Sequence, residues 1–533
     1  MNKKELGSYY TPIRLAKFIS DYCLSRLDSS EISILEPSVG DGVFVDAIND
    51  SKEIDNFDNI SLNVVEREAG ELKKVESKNI KSNISLTCIN EDYLNFNSNN
   101  NDKYSLIIGN PPYIKSNLLT EVQKDLSREI HINHGLSSRK VNNIWTAFLI
   151  SSISRLKDNG IVSFILPLEL LQVKFTEEIR ALLKDYFDRL EIFMFDELQF
   201  QECKGQDTVL LIGYVNHIQK GTFYTTISTM EDLESEKFNL QQNISVSESN
   251  KKWTHHFITP DEYSFLENLK NNLSLISNYV DNRAGIVTAA NDYFIVNKEI
   301  LDKFKLNEFS KPIVQKGYFV NGSASFDEGD FENLVNKNKP SYLLDFNSVG
   351  SNEMSRELKE YLAKGEELKI PFRFKCKKRK YWFQVPNLVE PTEAFFFKRA
   401  HEYPKFLKNE AGVYVTDSAY VVKTKENINI DDVIYSFYNS LTLAFSELEG
   451  RYYGGGVLEL TPNEFRALPI PLVRSGNFDL YKETFGNKNS IKEILDNNNG
   501  HILNTSLGLN IEEISLLENI RMKLINKRHR KKS

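Results

Sequence analysis

The sequence predicts an α/β fold in its first half and a mixed α+β domain in its second half. From about residue 15 to residue 215, apolar runs rich in β-branched residues alternate with segments of helical periodicity, and the connections are short. This alternation is typical of a doubly wound, mainly parallel sheet with helices on both faces. Because the alternation stops near residue 240 and 533 residues exceed one ordinary core, we predict two domains, 1–240 and 241–533.

The loops that follow the predicted strands are expected to meet at one edge of the sheet, because ligands of such sheets bind at the carboxyl ends of the strands. The strands correspond to SILEP, LNVVERE, ISLTCINED, YSLIIGNPPY, IVSFILP, LEIFMF and TVLLIGYV, and the helices to NIWTAFLISSISRLKDNG and FTEEIRALLKDY. The Asn-rich stretch 95–102 is predicted to be a solvated surface loop.

The composition excludes several classes of protein. Hydrophobic residues make up 41% of the chain, which is enough to bury cores, so a disordered protein is not expected. The four cysteines are widely spaced and form no C-x-x-C pair, which favours reduced thiols and gives neither a metal site nor a disulfide framework. The first residues contain no signal-peptide pattern, and no apolar stretch approaches about 18 residues. We therefore expect a cytoplasmic protein with no membrane partner.

The net charge of −8 hides two basic segments. Residues 369–408 hold 11 Lys and Arg against three Glu, and aromatic residues lie between the charges. That mixture is typical of surfaces that bind phosphates and bases. The segment 521–533 is also basic, and a solvated tail is its simpler interpretation.

Three strand-to-helix loops carry residues suited to a nucleoside ligand. In EPSVGDGVF, Gly40 and Gly42 allow a tight turn and a close approach of the backbone, but the dinucleotide fingerprint and the Walker lysine are both missing. Glu66 ends the second strand, where an acid suits two ribose hydroxyls, and Asp92 ends the third, where an acid can accept from an adenine amine. Each acid alone is equally compatible with an ordinary helix N-cap, but their succession favours a ligand site.

Five short segments, taken in chain order, resemble the motifs of the gamma-class, TaqI-type amino-methyltransferases of restriction–modification systems. They are GSYYTP (7–12), EPSVGDGVF (36–44), VVERE (64–68), NEDYL (90–94) and GNPPY (109–113). Members of that family methylate N6 of adenine in DNA and use S-adenosyl-L-methionine (SAM). The resemblance implies a Rossmann-like SAM-dependent methyltransferase sheet followed by a target-recognition domain.

The resemblance also implies which residues bind the cofactor, and it implies no metal. The matched cofactor-binding residues are Tyr10, Thr11, Pro12, Glu36, Pro37, Ser38, Gly40, Gly42, Glu66, Asp92, Asn110 and Phe148. Glu66 would hold the ribose and Asp92 the adenine, while Phe148 would form a wall of the pocket.

The catalytic residues are expected in the loop Asn110, Pro111, Pro112 and Tyr113, which two prolines make stiff. An adenine amine is a poor nucleophile because its lone pair is delocalised into the ring. The Asn110 side-chain oxygen and the Pro111 carbonyl would accept its hydrogens and aim the nitrogen at the methyl sulfonium. The target base must leave the duplex at a cost of about a few kcal/mol. Stacking on Tyr113 and, by the resemblance, on Phe200 would offset part of that cost.

Double-stranded DNA is therefore the expected partner, bound by a monomer. Candidate DNA contacts are Arg139, Lys140, Lys377, Arg379, Arg451 and Tyr452, although a solvated or phosphate-contacting role is simpler for each. Because the motifs begin at residue 7, any cognate restriction endonuclease is expected to be a separate chain.

Two alternatives remain open. A protein glutamine-N5 methyltransferase would use the same loop but would leave the second half unexplained, and a non-catalytic DNA-binding specificity subunit would not need the intact loop and acids.

Overall fold

The computed structural model describes residues 11–196, 207–242, 252–320, 322–350, 354–453 and 455–529. The chain forms two compact units that divide between Ser264 and Phe265, beyond the predicted boundary at residue 240. One physical reason is Trp253, whose fully buried side chain belongs to a core cluster of the first unit. The chain therefore stays with the first unit past the end of its α/β alternation.

The first unit is built on a sheet of nine described strands in the order β3-β2-β1-β4-β5-β7-β6-β8-β9. The strands are β1 (Glu31–Glu36), β2 (Asn59–Val65), β3 (Ile84–Ile89), β4 (Tyr104–Gly109), β5 (Leu156–Pro167), β6 (Arg189–Phe195), β7 (Thr208–Tyr214), β8 (Gly221–Ile227) and β9 (Gln241–Gln242). Strand β7 runs antiparallel to both of its neighbours and β9 runs antiparallel to β8, while the other pairings are parallel. The predicted mainly parallel α/β sheet is confirmed.

Helices cover both faces of this sheet. They are α1 (Ile13–Leu24), α2 (Val43–Asn49), α3 (Ala69–Glu76), α4 (Tyr93–Asn99), α5 (Glu121–Asn133), α6 (Trp145–Ile153), α7 (Glu169–Gln172), α8 (Glu177–Tyr186) and α9 (Met230–Glu234). Successive side chains of a strand point to opposite faces, so Ile107 of β4 packs with residues of α4 and α6, whereas Leu106 and Ile108 pack with residues of α1 and α2. The sheet is therefore buried on both sides.

The order of the strands places a topological switch beside β1. The chain runs outward from β1 to β2 and β3, and β4 then pairs with the other side of β1. Connections that diverge from neighbouring strands leave a crevice at the carboxyl ends of those strands. The loops after β1, β2, β3 and β4 all open onto this crevice.

The Asn-rich stretch 95–102 is not the loop that its composition suggests, because α4 continues to Asn99. The Asp92 side chain caps this helix by accepting a hydrogen bond of 3.0 Å from the Leu94 backbone N–H. Tyr93, Leu94 and Phe96 are buried against the sheet. The cap and the three apolar side chains outweigh the weak helix propensity of the asparagines.

The second unit is a mixed α+β structure, as predicted. Its strands are β10 (Val280–Ala284), β11 (Ile295–Val296), β12 (Ser310–Val314), β13 (Ser325–Phe326), β14 (Tyr342–Leu344), β15 (Ala394–Phe397), β16 (Arg399–Ala400), β17 (Lys405–Asn409), β18 (Tyr414–Val415), β19 (Ala419–Thr424), β20 (Arg451–Tyr453) and β21 (Val457–Glu459). The described strands form sheets ordered β10-β19-β15-β17-β13, β11-β14-β12-β18 and β16-β21-β20.

Helices lie between the strands of the second unit and also form its C-terminal part. Helix α10 (Pro260–Asn271) spans the division between the units, and the later helices are α11 (Asn291–Phe294), α12 (Lys298–Lys303), α13 (Glu328–Asn336), α14 (Arg356–Glu367), α15 (Ile430–Phe437), α16 (Ser440–Glu449), α17 (Pro462–Arg466), α18 (Phe478–Asn487), α19 (Ile491–Leu507) and α20 (Ile511–His529). Among the described residues, none of the helices is both long and apolar enough to span a membrane.

The basic C-terminal segment is helical up to His529 and is not the solvated tail that its charge suggests. Arg521 and Arg528 are buried. The Arg528 guanidinium donates to both oxygens of the buried Glu447 carboxylate, at 2.7 and 2.8 Å. A charge is tolerated in a protein interior when it is paired and hydrogen-bonded. This buried ion pair therefore connects α16 to α20.

Candidate active site

A pocket lies at the carboxyl ends of β1 to β4, where the order of the strands reverses. Its empty volume is about 710 Å³, open solvent at the mouth included. The residues that line it are Pro37, Ser38, Gly40, Val65, Glu66, Arg67, Glu68, Glu91, Asp92, Tyr93, Asn110, Pro112, Ile114, Gln123, Ile144 and Phe148. The structure therefore brings together residues from four separate motifs of the sequence.

The glycine-rich turn after β1 has two glycines with different functions. Gly40 lines the pocket with φ of 53°, a conformation that favours glycine. Gly42 caps α2 with φ of 81°, and a Cβ atom there would lie 2.6 Å from Lys78 and 2.9 Å from Val75. Gly42 was predicted to bind a cofactor, but it is absent from the pocket lining and instead allows close packing against the α3 region.

Glu66 is held by the backbone at the end of β2. Its Oε2 accepts a hydrogen bond of 3.0 Å from the Gly40 N–H, and its Oε1 accepts one of 2.9 Å from the Glu68 N–H. Each carboxylate oxygen can accept more than one hydrogen bond, so both keep acceptor capacity toward the pocket. The arrangement fits a ligand that presents two neighbouring hydroxyl groups.

Asp92 is both a helix cap and a wall of the pocket, so the two interpretations offered by its sequence position are compatible. Besides capping α4, it accepts a hydrogen bond of 2.8 Å from the Gln123 side chain through Oδ2. Gln123 was not predicted from the sequence. It is a buried residue at the pocket that also forms a capping box with Thr120 at the start of α5. The pattern T-x-x-Q at 120–123 was the available signal.

The loop after β4 is tied to the turn after β1 and to the start of α1. The Asn110 Nδ2 donates to Thr11 Oγ1 at 3.3 Å, and the Ser38 hydroxyl donates to the Asn110 backbone carbonyl at 3.3 Å. Asn110 and Pro112 line the pocket. These bonds, together with the two prolines, fix the orientation of the loop at the edge of the pocket.

Two aromatic residues of the prediction lie beside this loop. The Tyr113 ring is only 8% exposed, and its hydroxyl donates to the Ile165 carbonyl at 3.0 Å. Phe148 of α6 lines the pocket and packs on Tyr93, with ring centroids 4.7 Å apart. Phe148 therefore lies where a pocket wall was expected, whereas Tyr113 is more buried than an open stacking face would be.

Glu36 ends β1 as a fully buried carboxyl group. Among the described residues, no hydrogen-bond partner reaches its Oε2 atom. Burial raises the pKa of Glu36 well above its ordinary value, and the negative charges of Asp41 and Glu66 raise it further. A buried acceptor without a partner is costly, so this carboxyl group costs the folded chain stability when it is ionised.

Replacing Glu36 by glutamine is expected to stabilise the ligand-free protein at neutral and alkaline pH. Folding raises the pKa of this carboxyl group above its unfolded value of about 4. The folded state therefore loses stability as the pH rises from the unfolded pKa to the folded pKa. The variant should therefore melt at a higher temperature than wild type at pH 8, by about 2–4 °C for each kcal/mol of destabilisation that is removed. Near pH 4 the two melting temperatures should be the same.

Calorimetry from pH 4 to pH 8 checks this expectation. Glu31→Gln, an exposed glutamate at the other end of the same strand, is the matched control and should shift little. A melting temperature of Glu36→Gln below wild type at pH 8 would mean that the carboxyl group is ionised and satisfied in the folded chain.

The remaining predicted residues of the first unit are placed as follows. Tyr10 and Phe200 lie outside the described residues, as does the side chain of Lys140, and Arg139 is exposed. Thr11 is buried in contact with Asn110, which suits its predicted place in the first motif.

The predicted DNA contacts of the second unit differ in accessibility. Lys377 is exposed, but the Arg379 guanidinium donates to the Thr288 carbonyl at 2.6 Å, and Arg451 pairs with Glu464 at 3.0 Å. Tyr452 is buried, and its hydroxyl donates to the Glu447 carbonyl at 2.7 Å. The buried Tyr452 corrects the prediction of a surface contact, because its side chain supports the interior of the unit.

Two protein families match successive parts of the chain. Residues 25–200 match the family described as Eco57I restriction-modification methylase, and residues 250–503 match the type II methyltransferase M.Eco57I C-terminal domain. The chain is a methyltransferase of the restriction–modification type. Enzymes of this type methylate DNA at specific sites, and SAM is their methyl donor.

Individual relatives extend this similarity over nearly the whole methyltransferase. It is 27% identical to the type II methyltransferase M.AccI of Acinetobacter calcoaceticus, covering 94% of this chain and 92% of the relative. It is 23% identical to M.BanIII of Aneurinibacillus aneurinilyticus, covering 81% and 83% of the two chains. A solved structure of the type IIL restriction-modification enzyme MmeI in complex with DNA is similar in fold, with a TM-score of 0.56 at 11% identity over 97% of this chain and 73% of that one.

The residues of the pocket fit SAM. Glu36, although predicted to bind the cofactor, is not among the residues that line the pocket. Glu66, fixed by two backbone amides, suits a pair of hydroxyls, and Phe148 supplies an apolar wall. SAM carries a ribose and an adenine, so both of these features have a counterpart in the cofactor.

Proposed function

We propose that the methyltransferase belongs to the gamma class and methylates N6 of an adenine that has been flipped out of duplex DNA. The observation that carries this proposal is the position of the Asn-Pro-Pro-Tyr loop. Asn110 lines the same pocket as Glu66 and Asp92 and is bonded to Thr11 and to Ser38. Catalytic acceptors and cofactor-binding acids therefore share one edge of the sheet.

In this proposal, residues that follow three of the strands would hold SAM. Glu66 accepts from the two ribose hydroxyls, and Asp92, held by Gln123, accepts from the adenine amine while Phe148 contacts the adenine face. Ser38, Gly40 and Pro37 line the part of the pocket nearest β1. When bound, SAM would supply an electrophilic methyl group.

Asn110 and Pro111 perform the catalytic work by positioning the target amine. The Asn110 side-chain oxygen and the Pro111 carbonyl accept the two amine hydrogens, which favours a nitrogen whose lone pair points at the methyl group. The loop needs no rearrangement because the prolines and the bonds to Thr11 and Ser38 hold it. The proposal also places the enzyme in the cytosol as a monomer on DNA, with any restriction endonuclease on a separate chain.

Two other target amines suit the same loop chemically, the N4 amine of cytosine and the side-chain amide of a protein glutamine. The glutamine alternative leaves the second unit unexplained, whereas that unit matches the C-terminal domain of a type II methyltransferase. An asparagine before the two prolines, with the cofactor motifs first in the chain, favours adenine over cytosine.

Analysis of the methylated product tests the proposal. Unmethylated genomic DNA is incubated with the purified chain and SAM, digested to nucleosides and analysed by mass spectrometry. We expect N6-methyladenine, clustered at one sequence when the same DNA is read by single-molecule sequencing. N4-methylcytosine, or label transferred only to protein, would overturn the adenine assignment, and heat-inactivated enzyme is the blank.

A further inference from the structure

The second unit carries a short segment, residues 368–380, whose composition differs from that of the rest of the chain. The sequence LKIPFRFKCKKRK contains seven basic residues and no acidic residue, in a protein whose net charge is −8. We call its exposed side the 368–380 surface. Within the described residues, the acids adjacent to it in sequence are Glu366 and Glu367, at the end of α14.

The segment is held in place from the inside. Ile370 and Cys376 are fully buried, and each begins a 3₁₀ turn. Arg373 makes two hydrogen bonds to Asp292, at 2.8 and 2.9 Å. Arg379 turns inward, as described above. The backbone between these four anchors is therefore constrained, and the side chains that remain outside are displayed by a folded support.

Three large apolar side chains of the segment remain outside. Leu368 is 55% exposed, Phe372 is 77% exposed and Phe374 is 66% exposed. Burying a phenylalanine is worth about 1.5–3 kcal/mol, and exposed apolar side chains on a constrained backbone are typical of an interaction site. The fold therefore presents two aromatic rings without using them for its own stability.

Lysines surround these rings. Lys369, Lys375, Lys377, Lys378 and Lys380 are exposed, and within the described part of the chain no carboxylate lies within 4.0 Å of their amines. The Lys378 ammonium lies 4.0 Å from the centroid of the Phe374 ring. The partner that complements this surface must offer closely spaced negative charges together with flat apolar faces, and duplex DNA offers both.

We propose that the 368–380 surface binds the substrate duplex, with the rings of Phe372 and Phe374 inserted at a base step and the lysines on the flanking phosphates. Apolar side chains that enter a base step unstack it and bend the duplex, and phosphate contacts make the binding salt-dependent. The inference rests on the proposed action on DNA and extends it by naming a deforming contact outside the catalytic pocket.

Two variants of the full chain separate the roles of the rings and the lysines. The first is F372A/F374A and the second is K375Q/K377Q/K378Q. Leu480→Ala, which truncates an exposed apolar residue elsewhere in the second unit, is the matched control. The probe is a duplex that carries the sequence methylated by the wild-type chain, labelled at both ends. Fluorescence anisotropy over a salt series gives affinity, and energy transfer between the labels gives the bend.

The two variants should affect different properties of DNA binding. F372A/F374A should weaken binding by roughly 5- to 150-fold, the range expected when base–aromatic stacking is removed, and should reduce the bend without changing the salt dependence. K375Q/K377Q/K378Q should lower the slope of log affinity against log salt by about 0.9 for each phosphate that is no longer neutralised. The melting temperature and the affinity for SAM should stay at the wild-type values in both.

Three outcomes overturn the inference. Wild-type affinity and bend in F372A/F374A would show that the rings do not contact the DNA. An unchanged salt slope in the lysine variant would show that the lysines do not bind phosphates. Loss of binding to a protein partner with unchanged DNA binding would assign the surface to that partner. If the wild-type chain transfers no methyl group to DNA, the proposed function fails first, independently of these variants.

Discussion

Asn110→Ala is expected to lower the rate of methyl transfer to DNA by about 10²–10³-fold, which is the effect of removing one preorganised acceptor or donor from a catalytic site. The variant loses the side-chain oxygen proposed to accept from the target amine. It also loses the bond from Nδ2 to Thr11 that orients the amide. The measurement is transfer of a tritiated methyl group from SAM to duplex DNA under single-turnover conditions, which isolates the chemical step from product release.

The cofactor site should survive this substitution. Glu66, Asp92 and Phe148 keep their partners, so the dissociation constant for SAM measured by calorimetry should stay within about threefold of wild type. Asn133→Ala, an exposed asparagine at the end of α5, is the control and should transfer methyl groups at the wild-type rate. Wild-type transfer by Asn110→Ala would refute the catalytic role of Asn110.

Arg528→Ala is expected to destabilise the second unit by about 3–5 kcal/mol, because it leaves the buried Glu447 carboxylate without its counter-charge. Arg528 is buried, and its guanidinium also donates to the His401 carbonyl at 2.5 Å. Burial already raises the pKa of Glu447, and the Arg528 charge opposes that shift. Without the arginine, Glu447 must either remain buried as an unpaired charge or take up a proton.

Urea denaturation followed by circular dichroism measures this loss of stability. Arg474→Ala, which removes an exposed arginine of the same unit, should change the free energy of unfolding by less than about 0.5 kcal/mol. The double variant Glu447→Leu with Arg528→Met should be more stable than Arg528→Ala, since removing both partners leaves no uncompensated charge. An Arg528→Ala variant as stable as wild type would show that the ion pair contributes nothing.

The sequence predicted seven of the nine described strands of the first unit because each of the seven contains a short apolar run, whereas β8 and β9 were not predicted. Periodicity identifies a strand but carries no information about its direction, and so the antiparallel β7 could not be foreseen. The helix over Asn95 to Asn99 was missed for another reason. Its stability comes from the Asp92 cap and from tertiary burial of Tyr93 and Phe96, which composition does not reveal.

The predicted site residues that directly follow a strand lie at the pocket, whereas residues whose position depends on packing lie elsewhere than expected. Glu66, Asp92 and Asn110 line the pocket because strand ends meet at one edge of a parallel sheet. Tyr452 was a candidate DNA contact and Arg528 lies in the segment expected to be a solvated tail, but both are buried, and the Arg528 guanidinium pairs with the buried acid Glu447. Gln123 reaches the pocket from a helix, and only the folded chain brings it to Asp92.

The reversed direction of β7 places the end of β6 and the start of β7 at one edge of the sheet. Strand β6 ends at the same edge as β4, and β7 starts from that edge, so Asp196 and Asp207 both lie on the pocket side of the sheet. Three strand spacings separate β6 from β4, about 14 Å across the sheet.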